Sequence, residues 1–369
     1  MKLPLQTQRA GPAGIALIVV MIAVTVLSIL AAAFAYSMKV ETKLAQNANS
    51  ETELIWMGRS GVEYARWILA EQLKIGNEPY DGLNQIWAGG PGGIGTSNST
   101  LANVSLKDYV LGNGKFSITI TDTERKFNIN VADQPVLEQA LRLVGIDAGD
   151  SSSIAGCIMD WIDPDNNEHA GGAEDNYYQS QDPPYHVKSK PIDDLSELLL
   201  VKGIKDFPEI YWGGVATNHP PAAFQNKFRR AGQGVGPVSY PVGLVDLFTP
   251  LSSGRININT ASQTTLQMIP YMDDLIAAKL IELRAGFDGQ QATEDDMPAG
   301  AAGVSIETAL LSAGMSRQAV GFAARYCTTR SSTFEVKVDA EVAGYHREFF
   351  AILGRVSGRD VQVLSFYWK

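Results

Sequence analysis

Cysteine is scarce in this chain: its 369 residues contain two, Cys157 and Cys327. That leaves room for one disulfide at most, as in an exported protein, or for two buried thiols. Their wide separation does not choose between the two. Basic residues are outnumbered, 30 Lys and Arg against 40 Asp and Glu, for a net charge of −10. Neutralising phosphates needs a basic surface, so this balance speaks against a nucleic-acid binder. The four histidines, His169, His186, His219 and His346, show no metal-ligand spacing. No G-x-S-x-G, P-loop or G-x-G-x-x-G stretch stands in a strand-turn-helix context, which removes three common catalytic and nucleotide-binding signatures. Charge is wholly missing from Ile15–Met38, a run of 24 residues.

As a helix that run measures about 36 Å at ~1.5 Å per residue, enough to cross a hydrocarbon layer of ~30 Å. Its β-branched residues are poor helix formers in water, but in lipid a single segment satisfies its backbone only as a helix. Residues 1–14 carry Lys2 and Arg9, no acidic residue, and end in Gly14. Three readings compete. A secretory signal peptide has an apolar region of ~7–15 residues, shorter than this one. A signal anchor would keep Lys2 and Arg9 inside. A type IV pilin-like leader would be cut at Gly14, leaving Ile15 as the new N-terminus.

The helix continues. Leu54, Ile55, Val62, Ala65, Ile68, Leu69 and Leu73 recur at helical spacing among charged residues, an amphipathic half suited to packing on a sheet. Gly76, Asn77 and Pro79 end it. The glycine-rich stretch Ala88–Asn98 reads as a flexible surface loop. Lys115–Asp122 alternates strictly and predicts a strand; strand pattern returns only at Thr333–Ala343, Phe349–Val356 and Val361–Trp368. One antiparallel sheet therefore has its first clear strand before a long helical region and the others after it. The fold class is α+β: a long N-terminal helix on an antiparallel sheet, with a large, mainly helical insertion.

The insertion contains a repeat. Lys126–Ala132, KFNINVA, recurs as Arg255–Ala261, RININTA, 129 residues later, each followed by a helix. Asp133 is expected to cap the first helix and Thr260 the second, with Gln263 as its capping-box partner. The asparagines read as structural, bonding backbone at a strand-to-helix turn. ININTASQTTLQMIP resembles the opening of a helix-hairpin-helix domain. Pro270-Tyr271-Met272-Asp273-Asp274, however, puts two carboxylates where such hairpins present glycine amides to a phosphate. Both lobes read as helix-hairpin-helix or SAM-like scaffolds without the DNA function. A membrane-anchored DNA-binding protein of an uptake system is the competing reading.

The densest acidic stretch is Asp160–Asp175, DWIDPDNNEHAGGAED. Counted from Asp163, oxygen ligands fall at places 1, 3 and 5 (Asp163, Asp165, Asn167), and Glu174 falls at place 12. This is the spacing of a calcium loop, in which alternate side chains converge and a distal Glu closes the cage. Asp160 and Asp175, which bracket the stretch, complete the candidate ligand set. Place 6 is Glu168 where an EF-hand needs Gly, and DNYYQSQDPPYH after Glu174 does not read as a helix. The expectation is thus a calcium ligand set without the EF-hand fold. Asp288, Glu294, Asp295 and Asp296 form a second acidic group and read as a solvated face.

Taken together, these segments resemble the K-type minor pseudopilin family of the type II secretion system. The resemblance rests on the Gly14/Ile15 junction and its apolar run, DTERKFNIN, MDWIDPDNN…GGAEDNYY, PPYHVKSKPIDDLSELLLVKGI, GLVDLFTP, RININTA and the closing strands. It implies a pilin-like fold, cleavage and N-methylation at Ile15 by a prepilin peptidase, and calcium in the insertion. It also implies I- and J-type minor pseudopilins as partners, with no nucleic acid. In pilins the fifth mature residue is Glu, which neutralises the amine of the subunit ahead; here it is Val19, which suits a subunit with nothing ahead of it. The domain plan that follows has a leader over 1–14 and a transmembrane or filament-core helix over 15–38. A stalk and the first part of the pilin-like domain cover 39–126, an inserted helical domain covers 127–330 with lobes at about 127–245 and 255–330, and closing strands cover 331–369. The implied protein is a non-enzymatic, single-pass inner-membrane protein with its body in the periplasm.

Overall fold

In the computed structural model, residues 13–215 and 239–368 are described. The expected leader lies outside the described residues up to residue 12, as do His219 and most of the loop around it. One helix, α1, runs unbroken over Ala13–Gln72. Its apolar start is exposed throughout: Ile15, Val19, Leu27 and Phe34 are each more than half exposed. From Leu54 onward one stripe, Leu54, Met57, Val62, Ala65, Ile68 and Leu69, is buried. A stripe recurring every three to four residues is what a helix needs to lie on a sheet.

That sheet has five strands in chain order: β1 (Tyr109–Leu111), β2 (Gly114–Asp122), β3 (Thr333–Val342), β4 (Tyr345–Ser357) and β5 (Asp360–Trp368). All neighbours are antiparallel. β2 and β3 pair directly, Gly114 opposite Val342 and Asp122 opposite Phe334, although the whole insertion separates them in sequence. Alternate residues, Phe116, Ile118 and Ile120 on β2 and Phe334, Val336, Val338 and Ala340 on β3, face α1 and form one core with it. This is the pilin-like α+β arrangement.

Close approach of helix to sheet depends on two glycines. A Cβ on Gly58 would sit 2.4 Å from the Phe349 ring, and one on Gly61 would sit 2.5 Å from Val338 Cγ1. Phe349 cannot simply yield, since its ring stacks on Phe366 at 5.7 Å. Gly58→Ala should gain about 1 kcal/mol of helix propensity and lose about 1–3 kcal/mol to overpacking. The expected net is a lower urea midpoint; a raised midpoint would show that the contact relaxes freely.

The insertion has its own core, separate from the helix-sheet core. Each copy of the repeat opens with a two-residue parallel bridge, Phe127–Asn128 to Phe248–Thr249 and Ile256–Asn257 to Cys327–Thr328. The asparagines act alike in both copies. Asn128 and Asn257 accept from the amides of Asn130 and Asn259. Asn130 then bonds both the N–H and C=O of Ile192, and Asn259 those of Ala299. These side chains replace a missing strand partner, so their role is structural.

Four sequence expectations need correction or completion. Asp133 caps α2 (Gln134–Val144), but the second cap is Ser262, which accepts from Thr265 N; Thr260 is buried and donates to Asp122 instead. A short helix does follow Glu174, at Asp175–Gln179. Ala88–Asn98 does lie at the surface, with Ile94 85% exposed, but it is pinned to the body at Gly95 and Thr96. Buried Glu78 draws Gln72, Gln85, Gly95 N and Thr96 onto one carboxylate, and a Cβ on Gly90 would lie 2.3 Å from the Asn84 carbonyl oxygen. These glycines serve close packing around a buried charge, which local composition does not reveal. Cys157 and Cys327 are two separate buried thiols, pushed by burial to about 11 and about 12.

Candidate functional site

The acidic stretch leaves helix α3 (Ala148–Ile162) at Asp163 and returns to the helical body at Glu174. Within it the carboxylates of Asp163, Asp165 and Glu174 converge, with oxygens lying within 4.8 Å of one another. Asp165 is fixed by accepting from Asn167 N at 2.7 Å, an Asx turn that keeps the loop curved. Asn167 thus lies on the same turn, exposed.

Glu174 is only 8% exposed, yet among the described residues neither carboxylate oxygen accepts a hydrogen bond, and neither does Oδ1 of Asp163. Buried carboxylates without partners are costly. Burial, and then the neighbouring carboxylates, push both groups up from their ordinary values. An oxygen-only donor set that repels itself is what a hard divalent cation would relieve.

Asp160 and Asp175 stand differently. Asp160 is fully buried, and its oxygens accept from His169 N (3.0 Å), Ala173 N (2.7 Å) and the His169 ring at Nδ1 (2.5 Å). It closes the loop on itself. Its contact raises His169, which also lies 3.7 Å from Asp163. Asp175 points away, accepting from Val187 N and facing His186. Lys202 Nζ donates to the Gly172 carbonyl and lies 4.9 Å from the centre of the Tyr177 ring, bracing the loop from the lobe. Sequence reasoning missed His169 and Lys202. The first was visible as a histidine inside the acidic stretch; the second had no local signal.

The second acidic group is a loop-shaping device. Asp295 accepts from Phe287 N and Asp288 N, Asp296 from Ala292 N, and Asp288 from Gln290 N. At the hairpin-like turn, Asp273 caps the helix Asp274–Arg284 by accepting from Ile276 N, so a carboxylate occupies the place where a phosphate would dock. A groove of about 650 Å³ runs between α2 and the second lobe, lined by Met268, Met272 and Met315 with Tyr271; it shares no residue with the acidic loop.

Comparison with known proteins places these features. Residues 114–209, which contain the acidic loop, match the family described as type II secretion system protein K. The chain is 27% identical over 206 residues to the putative type II secretion system protein K of Escherichia coli K12, and 27% identical over 208 residues to that of Pseudomonas aeruginosa. These matches cover 52% and 53% of this chain. The chain spans 58% of the length of each of these relatives, and 33% of the one from Klebsiella pneumoniae, which it matches at 28% identity. Its fold matches a chain in the crystal structure of the GspK-GspI-GspJ complex from the enterotoxigenic Escherichia coli Type 2 Secretion System. The TM-score is 0.60 at 18% identity, covering 88% of this chain and 99% of that one.

Proposed function

We propose, for a chain that belongs to the type II secretion system protein K family, a non-enzymatic role as a minor pseudopilin. It caps the tip of the periplasmic pseudopilus and helps start its assembly, for export of folded proteins across the outer membrane. One observation carries the reading: a single helix, α1, is apolar and exposed over its first part and packed on the sheet over its last part. Such a helix is anchored in the inner membrane at one stage and lies in a filament core at another, with the body in the periplasm. Prepilin peptidase cuts between Gly14 and Ile15 and methylates the new amine. Val19 then offers no carboxylate to a subunit ahead, and the bulk of the insertion obstructs one. I- and J-type minor pseudopilins are the partners, a reading supported by the structurally similar chain, which is itself part of a GspK-GspI-GspJ complex.

Calcium holds the acidic loop. Asp163, Asp165 and Glu174 supply carboxylates and Asn167 an amide oxygen, supported by the unpartnered oxygens of Asp163 and Glu174. Asp160 and Asp175 serve as struts on either side. The ion contributes structure to a loop that has little secondary structure of its own.

Mass spectrometry of the mature chain tests the role. The expected N-terminus is methylated Ile15; a chain beginning elsewhere would end the pilin-like reading. Co-purification with I- and J-type subunits is expected, and steep salt-dependent duplex binding in its place would favour the DNA-uptake alternative.

A further inference from the structure

The chain passes between sheet and insertion through one neck, outward at Asp122–Glu124 and back at Ser331–Thr333. Three carboxylates are buried there, those of Asp81, Asp122 and Glu124. Glu124, from the turn after β2, accepts from Ser253 N, Ser332 N, Ser332 Oγ and Thr333 N. Asp81, from the segment after α1, accepts from Ser331 N and from the guanidinium of Arg355 on β4, and its Oδ1 has no partner among the described residues. Asp122 accepts from Glu124 N through Oδ1, and from Asn257 Nδ2 (3.0 Å) and Thr260 Oγ1 (2.6 Å) through Oδ2. The same Asn257 Nδ2, whose two hydrogens are shared among three acceptors, also lies within hydrogen-bond reach of Ser331 Oγ and the Asp81 carbonyl. Each carboxylate therefore ties the sheet side of the neck to the returning strand or to the second lobe.

The charges do not balance. Arg355 answers Asp81, and a ring of N–H and O–H donors answers Glu124. Asp122 accepts from three donors, as neutral as those of Glu124 but fewer, and among the described residues the charged groups facing it are the like-signed Glu124 and Asp81. Burial and like-signed neighbours favour the protonated form of a carboxylate so placed, against the donors that favour its charge. Burial first, then Glu124 and Asp81, push Asp122 up to about 7.

We propose that this neck is a proton-held latch: Asp122 is protonated while the insertion is clamped to the sheet, and loss of that proton as pH rises loosens the clamp. When the neck opens, Asp122 meets water and titrates as an ordinary carboxylate, near 4. Between that range and neutrality the closed neck holds the proton and the open neck does not. Opening therefore becomes easier by up to tenfold per pH unit through this window, and levels off above about 7.

Amide hydrogen exchange on the full chain in detergent reads this directly, corrected for intrinsic exchange chemistry. The reporters are Glu124, Ser331 and Thr333, whose N–H groups bond to the neck carboxylates. In the native chain their opening constant is expected to rise with pH and to level near neutrality. Asp122→Asn should abolish that dependence; a slope unchanged in this variant overturns the proposal. Should Asp122→Asn fail to fold, Thr260→Val decides. It removes a hydroxyl that favours the charged form, so the levelling point should move up by about one pH unit. A levelling point that stays in place overturns the latch, because a merely structural hydroxyl would change protection without moving its pH profile.

Discussion

Chelation of calcium from the detergent-solubilised chain is expected to lower its melting temperature by about 5–10 °C. A ligand present at about a hundred times its dissociation constant stabilises by about 2.7 kcal/mol, and 1 kcal/mol moves a domain of 150–250 residues by about 2–4 °C. The source of the effect is electrostatic. Asp163, Asp165 and Glu174 face one another, and the oxygens of Glu174 find no donor among the described residues. Asp163→Ala should remove the calcium response. Glu174→Gln should remove it as well and at the same time raise the melting temperature without calcium, because it deletes a buried carboxylate that has no hydrogen-bond partner among the described residues. Asp160→Ala should behave in the opposite way, lowering stability with and without calcium, since Asp160 holds His169 and Ala173 and closes the loop. Identical melting curves with and without chelator would remove calcium from the account of this loop.

Arg355→Met is expected to cost about 3–5 kcal/mol, the usual loss when one partner of a buried ion pair is removed. The side chains of Arg355 and Asp81 are each 1% exposed, so water does not screen the charge left behind. Arg355 also donates to the Ser331 carbonyl and lies 4.6 Å from the centre of the Phe334 ring, so it ties β4 to the start of β3. Urea denaturation would measure the loss. The double variant Asp81→Asn with Arg355→Met should lose less than the sum of the single changes, because the orphaned carboxylate is then gone. Additive losses would mean that the pair is not coupled and that the packing of Arg355 carries its contribution.

Much of the fold was legible from local pattern. Alternation in Lys115–Asp122 and Thr333–Ala343 marks strands whatever surrounds them, and their position on either side of a helical region already implies an insertion. The uncharged run at Ile15–Met38 needs no tertiary knowledge, because its length alone matches a bilayer. The acidic spacing was equally local: Asp163, Asp165 and Glu174 lie on one short loop, so their convergence follows from how that loop curves.

What lay beyond the sequence is in each case a matter of which distant group arrives at a given atom. Thr260 looked like a helix cap because a cap is a local event; its hydroxyl is taken by Asp122, 138 residues away in sequence. The Ala88–Asn98 glycines looked like looseness, yet Glu78 gathers four donors beneath them. Asp160 and Asp163 are alike in sequence; burial and the amides of His169 and Ala173 make the first a strut, while Oδ1 of the second has no partner among the described residues. Periodicity, length and spacing along the chain are set by covalent order, and the sequence by itself determined them: anchor, strands, repeat and acidic loop. Burial and hydrogen-bond partnership are set by the meeting of remote segments. Only the tertiary structure could decide which carboxylates are satisfied, which are left without a partner among the described residues, and which, at Asp122, are buried beside others of like charge.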